Sequence, residues 1–179
     1  MSAITGATDL RYPIGKFAHD GPVTDSDRER WIAEVEALPE QMRRAVEGLS
    51  DAQLDTPYRP GGWTIRQVVH HVPDSHVNSY VRFKWALTED EPVIKAYDEV
   101  GWANLADYRA PVGPSLDFLA ALHAKWVRLL RTMTDEQWAR RFVHPESGPT
   151  ELALALGSYA WHGQHHLAHI TSTVEREVW

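Results

Sequence analysis

The chain contains no cysteine, which excludes a disulfide framework, a thiolate nucleophile and thiolate metal ligands. It has no run of basic residues, and 18 Lys and Arg stand against 25 Asp and Glu, for a net charge of −7. A surface for nucleic acid or anionic membrane is therefore not expected as its main function. No stretch approaches the roughly 18 consecutive apolar residues of a membrane span, and the start, MSAITGATDLRYPIGKF, has no apolar signal core. A soluble, cytoplasmic protein is expected. Gly61-Gly62 and Gly163 lack the spacing of a phosphate cradle, and there is no serine nucleophile elbow.

What is present is globular composition: 43% hydrophobic and 24% charged residues argue against extensive disorder. A chain of 179 residues makes one ordinary domain, here residues 1–179, and buries roughly 70% of its unfolded surface. It needs no metal merely to fold. The unusual feature is ten histidines, seven of them in two windows, 70–76 and 162–169.

Residues 1–24 carry Pro13, Gly15, Gly21 and Pro22 without a sustained period and read as an extended arm. Ser26 and Glu29 have the spacing of a capping box. Trp31, Val35, Leu38, Met42 and Val46 then mark an amphipathic helix ending near Gly48, with Pro39 expected to bend it. Thr64 and Gln67 open a second helix towards Leu87. Residues 88–114, with Pro92, Gly101, Pro111, Gly113 and Pro114, form a long crossover. Ser115 can cap a third helix through Leu116, Leu119, Leu122, Trp126, Leu129 and Leu130, and a fourth starts near Thr150.

Leu49-Ser50-Asp51-Ala52-Gln53-Leu54 and Met133-Thr134-Asp135-Glu136-Gln137-Trp138 share one pattern, each following a helix and preceding a proline-containing loop and a further helix. The repeated unit predicts an all-α four-helix bundle of two hairpins, joined by the long crossover between helices 2 and 3. Both histidine windows then lie on the second helix of a hairpin and face each other across the core.

On the fourth helix, His162 projects with His166, and His165 with His169. An i, i+4 pair is a standard helical grip on one metal ion. Measured from the apolar direction set by Leu152, Leu156, Tyr159, Leu167, Ile170 and Val174, the first pair averages about 75° and the second about 135°. His162 and His166 are therefore the expected ligands, and His165 and His169 tend towards solvent. In the first window His71 lies closer than His70 to the buried direction of Ile65, Val68, Val72 and Phe83. His76 would lie closer still on an ideal helix, but Pro73 makes the wheel unreliable beyond it. Ser75, Asn78 and Arg82 share the stripe of His71 and suggest the wall of a pocket.

One imidazole from the second helix and two from the fourth would leave open positions on a metal, as catalytic zinc sites do. Bound water would then ionise near neutrality, with a pKa of roughly 7. Asp74 is a candidate catalytic residue, able to orient an imidazole or act as a base. Asn78 and Arg82 are candidates for binding a substrate carboxylate or phosphate, unless Arg82 pairs with Asp98 or Glu99. Trp102 and Tyr108 could lid the pocket. His19, His123 and His144 are isolated and default to the surface.

The stretches LRYPIGKF at 10–17, PGGWTIRQVVHHVPDSHVNSYVRFK at 60–84, DEVGWANLADYRAP at 98–111 and SYAWHGQHHLAHI at 158–170 resemble the DinB-like superfamily, most closely its YfiT branch, whose members are provisionally termed metal-dependent hydrolases. The resemblance implies a four-helix bundle holding one divalent metal, zinc or nickel, through three histidines. The first family ligand follows the tryptophan opening the second helix by eight residues, which is His71 here; the others match His162 and His166. The resemblance also implies a homodimer and a small-molecule substrate, and the number of tryptophans points to a dimer too. Related superfamily members transfer low-molecular-weight thiols such as bacillithiol or mycothiol. The alternatives to a hydrolase are thus a thiol S-transferase and a metal-binding module without turnover. With no cysteine, any thiol must come from outside the protein.

Overall fold

In the computed structural model, which describes residues 9–179, the helices in chain order are α1 (Asp25–Val46), α2 (Asp51–Leu54), α3 (Ile65–Thr88), α4 (Glu99–Ala103), α5 (Gly113–Leu130), α6 (Asp135–Trp138) and α7 (Leu152–Glu177). A 3-10 turn covers Ala106–Arg109, and strands β1 (Arg141–His144) and β2 (Gly148–Glu151) form an antiparallel hairpin. The first part of the expected arm, residues 1–8, lies outside the described residues. The four long helices form the bundle: α1 and α3 each pack against both α5 and α7.

Local chemistry sets most boundaries. Thr64 caps α3 by accepting from the Gln67 amide, while Gln67 returns a bond to the Thr64 amide at 3.0 Å. The duplicated turns are real: Ser50 with Gln53 and Thr134 with Gln137 make matching capping boxes on α2 and α6. The loop after α2 closes with a single antiparallel bridge, Pro57 to Thr64, where the second copy has β1 and β2. α1 runs unbroken through Pro39, and α3 through Pro73.

Three expected boundaries are corrected. The first capping box is Thr24 with Asp27, because an aspartate at the third helical position satisfies the Thr24 amide as a glutamate would. Ser26 and Glu29 are already inside the helix. α5 begins at Gly113, with Pro114 in its first turn, where no amide hydrogen is needed; Ser115 points at His70 instead of capping. α7 starts at Leu152, and Thr150 belongs to β2, paired with Phe142. The hairpin escapes periodicity because each strand has four residues and the second contains Pro149.

The apolar core divides in two. One cluster holds Trp31, Ile32, Val35, Phe83, Trp126, Leu152, Leu156 and Ala160. The other holds Leu38, Met42, Val46, Ile65, Val68, Val72, Leu116, Leu119 and Ile170. Along every long helix the changeover falls at one level: after Val35 on α1, between Val72 and Phe83 on α3, between Leu119 and Trp126 on α5, and between Ala160 and Ile170 on α7. His71, His76, His123, His162 and His166 fall at or within these gaps. A layer of imidazoles thus separates two apolar clusters. Gly163 lets α1 and α7 approach there, since a Cβ at that position would lie 2.4 Å from Leu38 Cδ2.

Candidate metal centre

α3 presents His71, and α7 presents His162 and His166 one turn apart. One ring nitrogen from each lies within 4.8 Å of the others. His71 Nε2 is 3.2 Å from His162 Nε2, and the ring centroids of His71 and His162 lie 4.7 and 4.5 Å from that of His166. Two nitrogens bound tetrahedrally at 2.0–2.1 Å to one ion stand roughly 3.3 Å apart. No carboxylate joins the group among the described residues. Burial lowers the pKa of all three, His71 to about 4 and the other two well below the ordinary histidine range. Their lone pairs are therefore available at neutral pH, as a cation requires.

The histidines behind the site fix which nitrogen faces it. Val35 carbonyl oxygen can only accept, so His123 Nδ1, 2.6 Å away, carries a proton and donates it. Neutral His123 then accepts at Nε2 from His76 Nδ1, 2.9 Å away. His76 in turn accepts at Nε2 from His162 Nδ1 at 3.2 Å. With its proton on Nδ1, His162 presents the Nε2 lone pair to the site. A shorter chain backs His166: Arg11 carbonyl oxygen accepts from His169 Nε2 at 3.3 Å, and His169 Nδ1 lies 3.4 Å from His166 Nδ1. His71 has no such support; its Nδ1 is buried without a partner, and its ring packs on Trp63 with centroids 4.6 Å apart.

Two expectations about the histidines are corrected. His165 and His169 are buried, at 7% and 2% exposure, because the arm folds over that side of α7. Tyr12 lies 5.8 Å from the His165 ring, Trp161 stacks on His165, and Tyr58 stacks on His169 at 3.9 Å. His123 is buried as well; it sits on the apolar stripe of α5 between Leu119 and Trp126, a signal available in the sequence. His19 and His144 are half-buried. His70, on the outer side of His71, bonds Ser115 Oγ at 2.7 Å and Ala110 carbonyl oxygen at 3.1 Å.

A cavity of about 600 Å³ opens over His162 between the crossover, the β hairpin and α7. Its lining includes Ser75, Arg82, Tyr97, Tyr159 and His162. Ser75 Oγ lies 3.5 Å from His162 Nε2. Arg82 donates to Tyr159 Oη at 3.2 Å and Lys95 carbonyl oxygen at 3.4 Å, and forms no ion pair with Asp98 or Glu99. Asp98 instead caps α4 through the Gly101 amide. Asn78 is turned away, its side-chain amide donating to Asp74 carbonyl oxygen at 2.8 Å. Asp74 accepts from Tyr108 Oη at 2.7 Å, and desolvation raises its pKa despite that bond. Neither Asp74, Trp102 nor Tyr108 lines this cavity. Tyr97 does, and sequence reasoning missed it because the crossover has no period to mark a buried side.

The sequence profile of the DinB superfamily matches residues 34–170. A Bacillus mycoides protein, named provisionally as a metal-dependent hydrolase, is 56% identical over 171 residues, covering 96% of this chain and 99% of its own. A similarly named Bacillus cereus protein is 55% identical over the same length. Among solved structures, YfiT from Bacillus subtilis matches with a TM-score of 0.93 and 48% identity, over 95% of this chain and 98% of that one. It is described as a four-helix bundle of unusual topology and provisionally assigned as a metal-dependent hydrolase. The four-helix bundle TT2238 shares the fold, with a TM-score of 0.54 and 21% identity, over 78% of this chain and 94% of that one. No helix among the described residues is long and apolar enough to cross a membrane. By profile, identity and coverage, the chain belongs to the DinB superfamily.

Proposed function

We propose that His71, His162 and His166 bind one divalent cation, zinc or nickel, and that the protein is a metal-dependent hydrolase acting on a small molecule. The observation that carries this reading is the convergence of three neutral imidazoles, one of which, His162, lines a cavity. A cation there would act as a Lewis acid, activating water for attack on an ester, amide or similar bond. The protein's own part is to hold the ligand lone pairs, exclude bulk water with the two apolar clusters, and admit substrate past Ser75, Tyr97 and Tyr159. The open cavity above His162 favours turnover over a closed structural metal. Asp74 enters as the anchor of Tyr108 and hence of the crossover that walls the site, and Asn78 as its neighbour.

The test is hydrolysis of a panel of activated esters and amides by untagged protein of known metal content. Activity that follows metal content and is lost in His162→Ala, while remaining in His165→Ala, supports the reading. Turnover that appears only when a low-molecular-weight thiol is added replaces water with an external thiol as the nucleophile. The expected homodimer is checked on the same sample by sedimentation velocity.

A further inference from the structure

Resting on the three-histidine reading, we propose that the substrate bears a carboxylate, held by Arg82 and Tyr97 while its reacting group lies against His162. Two arginines of α3 are almost equally buried, and the contrast between them is informative. Arg66, at 6% exposure, is paired with Asp51 at 2.7 Å and Asp55 at 2.6 Å. Arg82, at 7% exposure, has no carboxylate partner among the described residues. Buried charges are ordinarily paired, because leaving water uncompensated is strongly unfavourable.

A guanidinium has five N–H donors; Arg82 commits two, to Tyr159 Oη and Lys95 carbonyl oxygen. The rest are available to the cavity that Arg82 lines. Tyr97 lines the same space, and its buried hydroxyl lies near Ser75 without a well-formed hydrogen bond, so its proton is free to turn to a ligand. Asp98, Glu99 and Glu146 also line the cavity, but they are exposed at its rim and none pairs with Arg82. Three neutral imidazoles would leave the charge of a divalent cation undiminished, beside a second unbalanced positive charge. A carboxylate satisfies the arginine fork in the bidentate geometry it favours and accepts from Tyr97 Oη. The Tyr159 ring spans the two ends of the site: its hydroxyl meets Arg82, and its centroid lies 5.7 Å from the His162 ring. The volume of about 600 Å³ suits a small acidic molecule.

The probes are ω-mercaptocarboxylic acids of graded length, each compared with its methyl ester, on cobalt-loaded protein. The sulfur anchors at the metal and gives a thiolate-to-cobalt absorption band; the other end reports on Arg82. At the best chain length the acid is expected to bind about tenfold to a hundredfold more tightly than the ester. That ratio should collapse towards one in Arg82→Met. In Tyr97→Phe it should fall by about threefold to tenfold with little change in melting temperature, since the hydroxyl has no well-formed hydrogen bond to lose. Tyr97→Phe carries the test if Arg82→Met does not fold. Equal binding of acid and ester at every length, or a ratio unchanged in Tyr97→Phe, overturns the proposal while leaving the metal site standing. If no thiol produces the band, the three-histidine reading fails and the carboxylate proposal falls with it.

Discussion

The two i, i+4 histidine pairs of α7 share a helix and a spacing, yet only one converges on a third histidine. His162 turns Nε2 towards His71 across the bundle, and a ring nitrogen of His166 lies within reach of both. His165 and His169 lie under the N-terminal arm, stacked on Trp161 and Tyr58, and His169 stands directly behind His166. Spacing makes a pair possible; what faces it decides whether the pair can serve as a ligand set or stands behind one. Burial does not separate them, because His166 is 8% exposed and His165 7%. The difference lies in hydrogen-bond direction, which begins at two backbone carbonyls and ends at two lone pairs.

The largest expected break in this comparison is in metal retention. His162→Ala should lower bound metal from about one per chain to below about one tenth, whereas His165→Ala should leave it near one. Elemental analysis of dialysed, untagged proteins measures both. Next comes the supporting layer. His76→Leu and His169→Leu should weaken metal affinity by about tenfold to a hundredfold in chelator competition. His76→Gln should recover most of the loss, because its carbonyl can accept from His162 Nδ1 while its amide donates to His123. A purely structural role for His76 would lower melting temperature equally in both variants and leave affinity untouched.

A third expectation concerns acid. His123 and His71 are held neutral in the folded protein by burial, with pKa values of about 4, against about 6.5 in an unfolded chain. Between these values the unfolded chain binds protons that the folded one does not. Stability of the metal-free protein should therefore fall as pH drops from about 6.5 to about 4, by roughly 1.4 kcal/mol per pH unit for each such histidine, and level off below. Denaturant titrations across that range measure the slope, and His123→Leu should reduce it by one histidine's share. The smallest effect is expected at the loop between α2 and α3: Tyr58→Leu removes the stack on His169 and should lower stability by about 0.5–1.5 kcal/mol. Metal affinity should stay within about twofold, because the His169–His166 contact does not depend on that ring.

Much of this was legible in sequence because it follows from helical periodicity and capping. Thr64 and Gln67 start α3, the matching turns at Ser50 and Thr134 reveal the duplication, and the helical wheel prefers His162 and His166 to their neighbours. The same wheel places His165 and His169 towards solvent, because a wheel knows only its own helix and the arm at Arg11 and Tyr12 arrives from far away in the chain. On α3 the ideal wheel is right beyond Pro73: the helix continues, and His76 reaches the core with no measurable exposure. Tyr97, the short β hairpin and the pairing of Arg66 rather than Arg82 depend on contacts between segments with no local pattern. They became visible only in the fold.

The central claim is that three imidazoles and no carboxylate hold the metal. X-ray absorption at the metal edge of untagged protein tests it most directly. Three imidazole nitrogens at about 2.0–2.1 Å, with the multiple scattering of aromatic rings, are expected. A fourth imidazole, or a shell dominated by carboxylate oxygen, would contradict it.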